Sequence, residues 1–189
     1  MIPRICIAPL GKVSPELIDA VARRVADVMT RNVEVVHPDV DVRLAFDETR
    51  RQYHSTDLIA ELLRVFPEGG GKILGVTSRD LFIPVLTYVF GEAQLGGVAA
   101  VASTHRLHNE YYGLPASHVL LVDRLRKECL HELGHTMGLV HCADYRCIMY
   151  SSTSVEEIDI KGEGFCDACR ILIDATGELP SGPGSGPVR

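Results

Sequence analysis

The 189-residue sequence lacks an excess of basic residues. Its 19 lysines and arginines are outnumbered by 25 aspartates and glutamates, which gives a formal net charge of −6 at pH 7. Proteins that bind nucleic acids or anionic membrane surfaces need a basic face. The composition therefore argues against a nucleic-acid partner and against an anionic membrane as a partner.

The sequence also lacks long apolar runs. None approaches the roughly 20 residues that a transmembrane helix requires, and the first residues lead into a strand-like segment without the apolar core of a secretory signal. We therefore expect a cytoplasmic protein with no membrane partner. We also expect its six cysteines to be reduced, because structural disulfides belong to oxidising compartments.

No internal repeat is present, and the length suits one domain. A chain of 189 residues with 46% hydrophobic residues can bury a single core and leave room for a cleft. We predict one domain over residues 1–179, divided into an N-terminal subdomain (1–138) and a C-terminal subdomain (139–179), and acting as a monomer. Residues 180–189 are rich in proline and glycine, a composition that predicts a disordered tail.

Hydrophobic periodicity predicts alternating strands and helices. Strand-like apolar runs cover residues 4–10, 32–46, 72–77 and 96–103, with a turn at Pro38-Asp39 inside the second run. Helical spacing covers residues 15–31, 55–66 and 117–139. This order predicts a mixed sheet with helices packed on it. Cys6 and Cys129 fall in a predicted strand and a predicted helix, where free cysteines are usually buried.

One segment combines the residues of a catalytic metal site. Residues 131–141 match the pattern H-E-x-x-H-x-x-G-x-x-H. On a helix, His131 and His135 project from the same face and can bind one ion. Gly138 can adopt the positive φ that ends a helix, which lets the chain turn back and bring His141 to the same ion. Three histidines leave the fourth position of zinc open for water, as in catalytic zinc sites.

Glu132 lies beside these histidines and is free to act on bound water as a general base. Five fixed positions are expected to match by chance less than about once in ten thousand segments. A zinc hydrolase with a glutamate as third ligand is the disfavoured alternative, because His141 already has the required spacing. The other histidines are isolated and are predicted to be solvated or hydrogen bonded rather than ligands: His37, His54, His105, His108 and His118.

A second metal-binding pattern begins directly after His141. Cysteines spaced C-x4-C, then a long spacer, then C-x2-C are typical of a tetrahedral four-cysteine zinc site. The four residues are Cys142, Cys147, Cys166 and Cys169. Two disulfides are the alternative. Because four thiolates would leave no position for water, a zinc ion here is predicted to be structural.

Together the two patterns resemble the archaemetzincins, a branch of the metzincin zinc peptidases. The histidine motif followed directly by Cys142, then Cys147-Ile148-Met149 and Cys166-Asp167-Ala168-Cys169, carries the resemblance. Upstream it extends more weakly to Phe90-Gly91-Glu92-Ala93 and to Ser103-Thr104-His105-Arg106-Leu107.

The resemblance implies an α+β fold of the metzincin-like zincin type. Such a fold has a mixed twisted sheet, a backing helix, an active-site helix and a small C-terminal subdomain with the four-cysteine zinc site. It implies two zinc ions, one catalytic and held by the three histidines, one structural and held by the four cysteines. It also implies Glu132 as general base and Met149 as the methionine of the turn beneath the catalytic zinc. Met149 follows His141 more closely than in most metzincins, and filling a gap in the core is its alternative role.

These implications predict a zinc-dependent peptidase with peptide or protein substrates. In metzincins an edge strand above the zinc pairs with the substrate, and residues 98–102 are the candidate, because their small side chains would let a peptide backbone approach. A plain core strand is the alternative. Tyr150 follows Met149 immediately rather than at the second residue, so it is not assigned a role in stabilising an oxyanion. The alternative function is a non-catalytic zinc-binding module for protein interaction.

Overall fold

The structure is a computed structural model that describes residues 4–67 and 69–176. The α-helices are α1 (Pro15–Met29), α2 (Ser55–Val65), α3 (His118–Thr136), α4 (Val155–Ile160) and α5 (Asp167–Thr176). The strands are β1 (Ile5–Leu10), β2 (Val33–Val35), β3 (Phe46–Asp47), β4 (Gln52–His54), β5 (Lys72–Thr77), β6 (Leu81–Phe82), β7 (Gly91–Ala93) and β8 (Ala99–Ser103). The tail predicted at residues 180–189 lies outside the described residues.

A five-stranded mixed sheet in the order β2-β1-β5-β8-β7 forms the centre of the fold, with β7 antiparallel to its neighbour β8. Side chains alternate between the two faces of a strand. Ile5 and Ile7 of β1 therefore pack with α1 and α3, whereas Cys6 and Ala8 pack with α2. The predicted α+β fold, with a mixed sheet, a backing helix and a helix that carries the histidine motif, is confirmed.

The prediction of strand over residues 32–46 was wrong in its extent, although the turn predicted at Pro38-Asp39 is present. Only Val33–Val35 forms a strand of the main sheet, and Val42–Ala45 forms a turn of 3-10 helix. Pro38 has no N–H to donate to a neighbouring strand, and the chain turns there with the Val40 N–H bonded to the Pro38 carbonyl at 2.9 Å. The alternating valines of this segment predicted more strand than the proline allows.

The prediction that residues 98–102 form the edge strand was also wrong. Strand β8 lies between β5 and β7, and all five of its residues are buried, so the alternative of a plain core strand is confirmed. Its small side chains allow helices to pack closely on both faces of the sheet. The strand at this edge of the sheet is β7, which is only three residues long.

Within the described ranges, no helix combines the length and apolar composition needed to span a bilayer. Cys6 and Cys129 are fully buried, as predicted.

A cluster around Arg106 holds the segment that leads into β7. The Arg106 guanidinium donates two hydrogen bonds to the Asp80 carboxylate, at 2.6 and 2.7 Å, and lies 4.1 Å from the centre of the Tyr88 ring. The Tyr88 hydroxyl donates to the Thr153 carbonyl at 2.7 Å. This cluster therefore ties the chain before β7 to the chain that follows α3.

Burial raises the pKa of Asp80, but hydrogen bonds from Arg106 and Gln52 outweigh burial and hold the pKa below its ordinary value of 3.8. A carboxyl group whose pKa is lower in the folded state stabilises the fold above its unfolded pKa. That contribution is lost as the pH falls through the lower folded pKa.

We predict that Asp80→Asn lowers the free energy of unfolding near neutral pH by about 2 kcal/mol, because charge-assisted hydrogen bonds to Arg106 are lost. The variant should also lose less stability than the parent on acidification from about pH 6 to pH 3. Urea unfolding at several pH values measures both effects. Glu163→Gln is the control, because the ion pair of Glu163 with Arg24 is largely exposed and such pairs contribute little. Equal acid sensitivity of the parent and Asp80→Asn would contradict the prediction.

Candidate active site

Helix α3 carries the first two histidines and ends at a glycine turn. Ser117 is its N-cap, and the Ser117 hydroxyl accepts a hydrogen bond from the Leu120 N–H at 3.4 Å. The helix ends at Thr136, because Gly138 adopts a φ of 92°. The chain then reverses and brings His141 back to the helix, as the motif predicted.

The end of α3 is also anchored from outside. The Lys72 ammonium group donates hydrogen bonds to the carbonyls of Gly97 and Thr136, at 2.6 and 2.7 Å. The Gly96 N–H donates to the His135 carbonyl at 2.8 Å. Carbonyls in the last turn of a helix have no partner within the helix. Lys72 and the turn between β7 and β8 supply those partners, so the helix end is fixed against the main sheet.

The three histidines of the motif converge at this helix end. Their ring centres lie 4.6 Å (His131 to His135), 5.3 Å (His131 to His141) and 5.0 Å (His135 to His141) apart. One ring nitrogen from each lies within 4.8 Å of the others. His131 is buried, His135 is half-buried and His141 is exposed, so the cluster opens to solvent on one side.

The donor atoms of this cluster fit a divalent metal ion such as zinc. His131 Nδ1 lies 2.9 Å from the Ile148 carbonyl and His135 Nδ1 lies 2.7 Å from the Leu139 carbonyl. Since a carbonyl oxygen only accepts, each Nδ1 carries the proton of the neutral ring. The two Nε2 atoms, 3.1 Å apart, then face each other as lone pairs. A tetrahedral zinc ion places its nitrogen ligands about 3.3 Å apart, so a cation between them matches this geometry.

Burial keeps the histidines in the neutral form that can bind metal. It lowers the pKa of His131 well below 6.5 and lowers the pKa of His135 and His141. The positive charge of Lys161 acts in the same direction on all three rings.

Glu132 is 5% exposed and lies between the histidine cluster and the sheet edge. A Cβ built on Gly91 would lie 2.6 Å from Glu132 Cγ and 2.6 Å from Glu132 Oε1, which places the carboxylate directly against β7. Burial raises the pKa of Glu132 well above 4.5, and the negative charge of Glu128 raises it further, while Lys161 opposes both. A carboxyl group with a raised pKa can accept and release a proton near neutral pH.

A buried ion pair lies one helical turn before Glu132. Lys161 Nζ is 3.3 Å from Glu128 Oε1, and the two side chains are 0% and 4% exposed. Burial raises the pKa of Glu128, and Lys161 partly offsets this effect. Lys161 therefore supplies a positive charge behind two carboxylates that would otherwise be uncompensated.

Met149 lies beneath the histidines, where the resemblance predicted it. A Cβ built on Gly134, which lies between the two helical histidines, would be 2.4 Å from Met149 Sδ. The adjacent Ile148 carbonyl contacts His131 Nδ1, and the Cys142 N–H donates to the Met149 carbonyl at 2.9 Å. The segment containing Met149 therefore supports the ring of His131 and the start of the cysteine cluster.

The four cysteines also converge. Their sulfur atoms lie within 4.8 Å of one another, and Sγ of Cys142 is 3.8 Å from Sγ of Cys166. The disulfide alternative is wrong, because all six cysteines are free. Zinc bound to tetrahedral thiolates has sulfur–sulfur distances of about 3.8 Å. A backbone hydrogen bond from Cys169 lowers the pKa of Cys166, and the Cys166 N–H donates to Cys147 Sγ at 3.3 Å. The cluster fits a closed four-thiolate site.

A cleft of about 680 Å³ runs past the three histidines and Glu132. Leu95 and Val140 both line this cleft and are 62% and 65% exposed. Large aliphatic side chains this exposed beside a polar centre provide an apolar contact surface for a bound chain.

Sequence reasoning found both clusters but missed the residues around them. Glu128 and its partner Lys161 could have been suspected, because a charged residue three positions before His131 shares its helical face. Tyr88, which lines the cleft, gave no signal of its own, and Gly91 was named only as part of the upstream resemblance, without a role. Among the described residues, no isolated histidine joins a cluster of metal ligands. His54 instead pairs with Asp57 at 2.9 Å.

Comparison with known proteins agrees with this geometry. The sequence profile of peptidase family M54 matches residues 16–175. The archaemetzincin of Methanocaldococcus jannaschii is 37% identical over 170 residues, covering 89% of this chain and 92% of that protein. The archaemetzincin of Haloarcula marismortui is 35% identical over 167 residues, covering 87% of this chain and 95% of that protein.

Solved structures of related proteins have the same fold. Archaemetzincin from Methanopyrus kandleri superposes with a TM-score of 0.80 at 32% identity, covering 92% of this chain and 94% of that one. A zinc-dependent peptidase from Methanocorpusculum labreanum gives a TM-score of 0.79 at 31% identity, covering 89% and 99%. With its profile match, its relatives and its fold in agreement, the chain belongs to peptidase family M54, the archaemetzincins, and is a zinc metallopeptidase.

Proposed function

We propose that this chain hydrolyses peptide bonds in the cleft beside His131, His135 and His141, which hold the catalytic zinc, with Glu132 as the general base. The observation that carries the proposal is the position of the Glu132 carboxylate. It is buried beside three neutral imidazoles and lies against the sheet edge at Gly91. A base in this position can reach both a water held at the histidines and a peptide held along the strand.

A zinc ion held by His131, His135 and His141 would supply Lewis-acid activation of water and of the peptide carbonyl. The chain's own residues supply the rest. The Ile148 and Leu139 carbonyls hold the first two rings in the tautomer that presents Nε2. Glu132 accepts a proton from the attacking water and then delivers it to the leaving amine.

Strand β7 is the proposed binding edge for the substrate backbone. The Phe90 carbonyl and the Gln94 N–H form hydrogen bonds with residues at the two ends of β8. In an antiparallel pair, every second residue points its N–H and C=O to the neighbouring strand, so the backbone groups of Glu92 also point to β8. The N–H and C=O groups of Gly91 and Ala93 then point to the open side of the sheet. An extended peptide can pair there as an added strand. The exposed Leu95 and Val140 favour an apolar substrate side chain near His135.

We further propose that Cys142, Cys147, Cys166 and Cys169 hold a second, structural zinc ion. This cysteine site is linked to the histidine site through residues that are adjacent in sequence. His141 and Cys142 are adjacent in sequence, and Ile148 and Met149 follow Cys147 directly. A cysteine site that fixes both segments also fixes His141 and the carbonyl that orients His131.

A monomeric state, a cytoplasmic location, the absence of nucleic-acid and membrane partners, and a subdomain division near residue 138 stay predictions. The net charge of −6 supports the exclusion of nucleic acid.

We predict that Glu132→Gln reduces peptide hydrolysis by about 10²–10⁴-fold, because the amide cannot accept the proton of the attacking water. Zinc content should stay close to that of the parent, because Glu132 is not among the proposed ligands. Turnover of library peptides and metal analysis of the same preparation measure the two effects. Glu163→Gln, an equal charge change at an exposed site, is the control. Near-parent turnover by Glu132→Gln would refute the role of Glu132 as the general base.

We predict up to two zinc ions per chain, which a chelator removes in sequence. The histidine cluster opens to solvent on one side, so its ion should leave first, whereas four thiolates should retain theirs. Brief dialysis against a chelator, with zinc and activity measured in parallel, follows both ions. Activity should disappear at the loss of the first ion. Simultaneous loss of both ions would show that the two sites do not differ in how firmly they retain zinc.

We predict that Cys169→Ser weakens zinc retention by the three histidines, although Cys169 is remote from them in sequence. Losing one thiolate loosens the cysteine site and the segment containing Ile148 and Met149. Removing an outer partner of a metal-bound histidine typically weakens metal binding by roughly 10–100-fold. Cys6→Ser, at a buried free cysteine remote from both clusters, controls for general destabilisation. Unchanged zinc affinity of the histidine site in Cys169→Ser would mean that the sites are independent.

A further inference from the structure

We infer that Gly91 is a positioning residue for the proposed reaction: the missing Cβ at this strand position leaves the space that the Glu132 carboxylate occupies. The inference rests on the proposed role of Glu132 as the general base. Besides pairing with the substrate backbone, the sheet edge would then hold the Glu132 carboxylate at one position along the bound peptide.

The contact is closer than any side chain would allow. A Cβ on Gly91 would lie 2.6 Å from both Cγ and Oε1 of Glu132, and 2.7 Å from the Val101 carbonyl oxygen. Carbon and oxygen atoms that are not bonded to each other do not approach within 3.0 Å without displacement. Glu132 is 5% exposed and lines the cleft, so its carboxylate could give way to a Cβ only by leaving its present position beside β7.

Backbone conformation does not explain this glycine. The described glycines with positive φ are Gly11, Gly69, Gly71, Gly96, Gly113 and Gly138. Gly91 has an ordinary strand conformation that any residue adopts. The requirement for glycine at this position therefore arises from close approach to Glu132 and Val101.

The geometry of the strand explains why this approach matters for the chemistry. The Cα hydrogen of Gly91 that a Cβ would replace points toward Glu132 of α3, while the Gly91 N–H and C=O lie in the plane of the sheet and face the open edge. A peptide paired at that edge would run about 4.8 Å from β7. With no side chain between them, the Glu132 carboxylate lies beside the peptide groups that pair with Gly91. An alanine would displace the carboxylate, and its Cβ would also crowd the Val101 carbonyl oxygen.

The test begins with Gly91→Ala in the full-length, zinc-loaded protein, assayed on the library peptide that the parent cleaves fastest. We expect a fall in kcat of about 10- to 100-fold, since a displacement of about 1 Å at a catalytic group has effects of this size. We expect KM to stay within about threefold and zinc content to be unchanged, because the edge and the histidines remain. An unchanged kcat, or a loss confined to KM or zinc content, would overturn the inference.

The control is Gly75→Ala on β5. A Cβ there would lie 2.6 Å from Leu10 Cδ1 and 2.9 Å from Leu62 Cδ1, so it is crowded to a similar degree in the same sheet but on the face opposite α3. Gly75→Ala should lower the melting temperature and leave kcat at the parent value. If both variants lost kcat equally, general strain in the sheet would explain the loss and the positioning role would be wrong.

A second measurement needs neither zinc nor activity. Gly91→Ala should lower the melting temperature by roughly 5 °C in the parent. The fall should be clearly smaller in a Glu132→Ala background, where the obstructing side chain is gone. The crowding against Val101 is common to both backgrounds and cancels in this double-mutant cycle. Equal losses in the two backgrounds would show that Glu132 does not occupy the space.

The same cycle decides the case in which Gly91→Ala alone does not fold. Recovery of folding in the double variant supports the inference, and continued failure assigns the obstruction to Val101 and overturns it. The outcomes also separate this inference from the proposed function. Activity retained by Glu132→Gln refutes the general base, whereas activity retained by Gly91→Ala with Glu132→Gln inactive refutes the positioning role alone.

Discussion

The mutual approach of three neutral imidazoles is the constraint on which the rest of the site depends. The lone pairs of facing ring nitrogens repel unless a cation lies between them, and each ring must be held against rotation. The two helical rings are held by backbone carbonyls, at Leu139 in the turn after α3 and at Ile148 in the segment with Met149. Neither carbonyl belongs to a long regular element. The positions of the rings therefore depend on what fixes those two segments.

Different contacts fix the two segments. The turn after α3 follows from the positive φ of Gly138, and the helix end is tied to the sheet through Lys72 and Gly96. The segment with Met149 is tied at one end to Cys142 and at the other to Gly164, whose carbonyl accepts from the Ile148 N–H at 2.9 Å. Since Cys142 belongs to the sulfur cluster, the cysteines and the histidines share one support. This explains how two metal patterns can follow each other without an intervening element.

Local patterns in the sequence predicted those features of the site that are encoded within a few residues. The spacing of His131, Glu132 and His135 fixes their placement on one helix, and Gly138 fixes the turn that returns His141. The cysteine spacings predicted the second cluster for the same reason. Strands of buried residues, such as Lys72–Thr77, were predicted with correct bounds because continuous apolar runs identify them.

Features that depend on distant neighbours could not be predicted in this way. Residues 98–102 have small side chains suited to an edge that receives a substrate, yet the same composition suits a strand between two packed helices. Only the sheet order distinguishes the two roles, and that order arises from pairing between segments far apart in sequence. The burial of Glu128 and Lys161 likewise follows from the return of the chain after α3. Gly91 is the residue least open to prediction, because a glycine in a short strand belongs to no sequence pattern. Its inferred role arises from contact with Glu132, forty-one positions later in the chain. In the proposed mechanism two elements therefore position the Glu132 carboxylate, helix α3, which carries it, and strand β7, whose Gly91 leaves space for it.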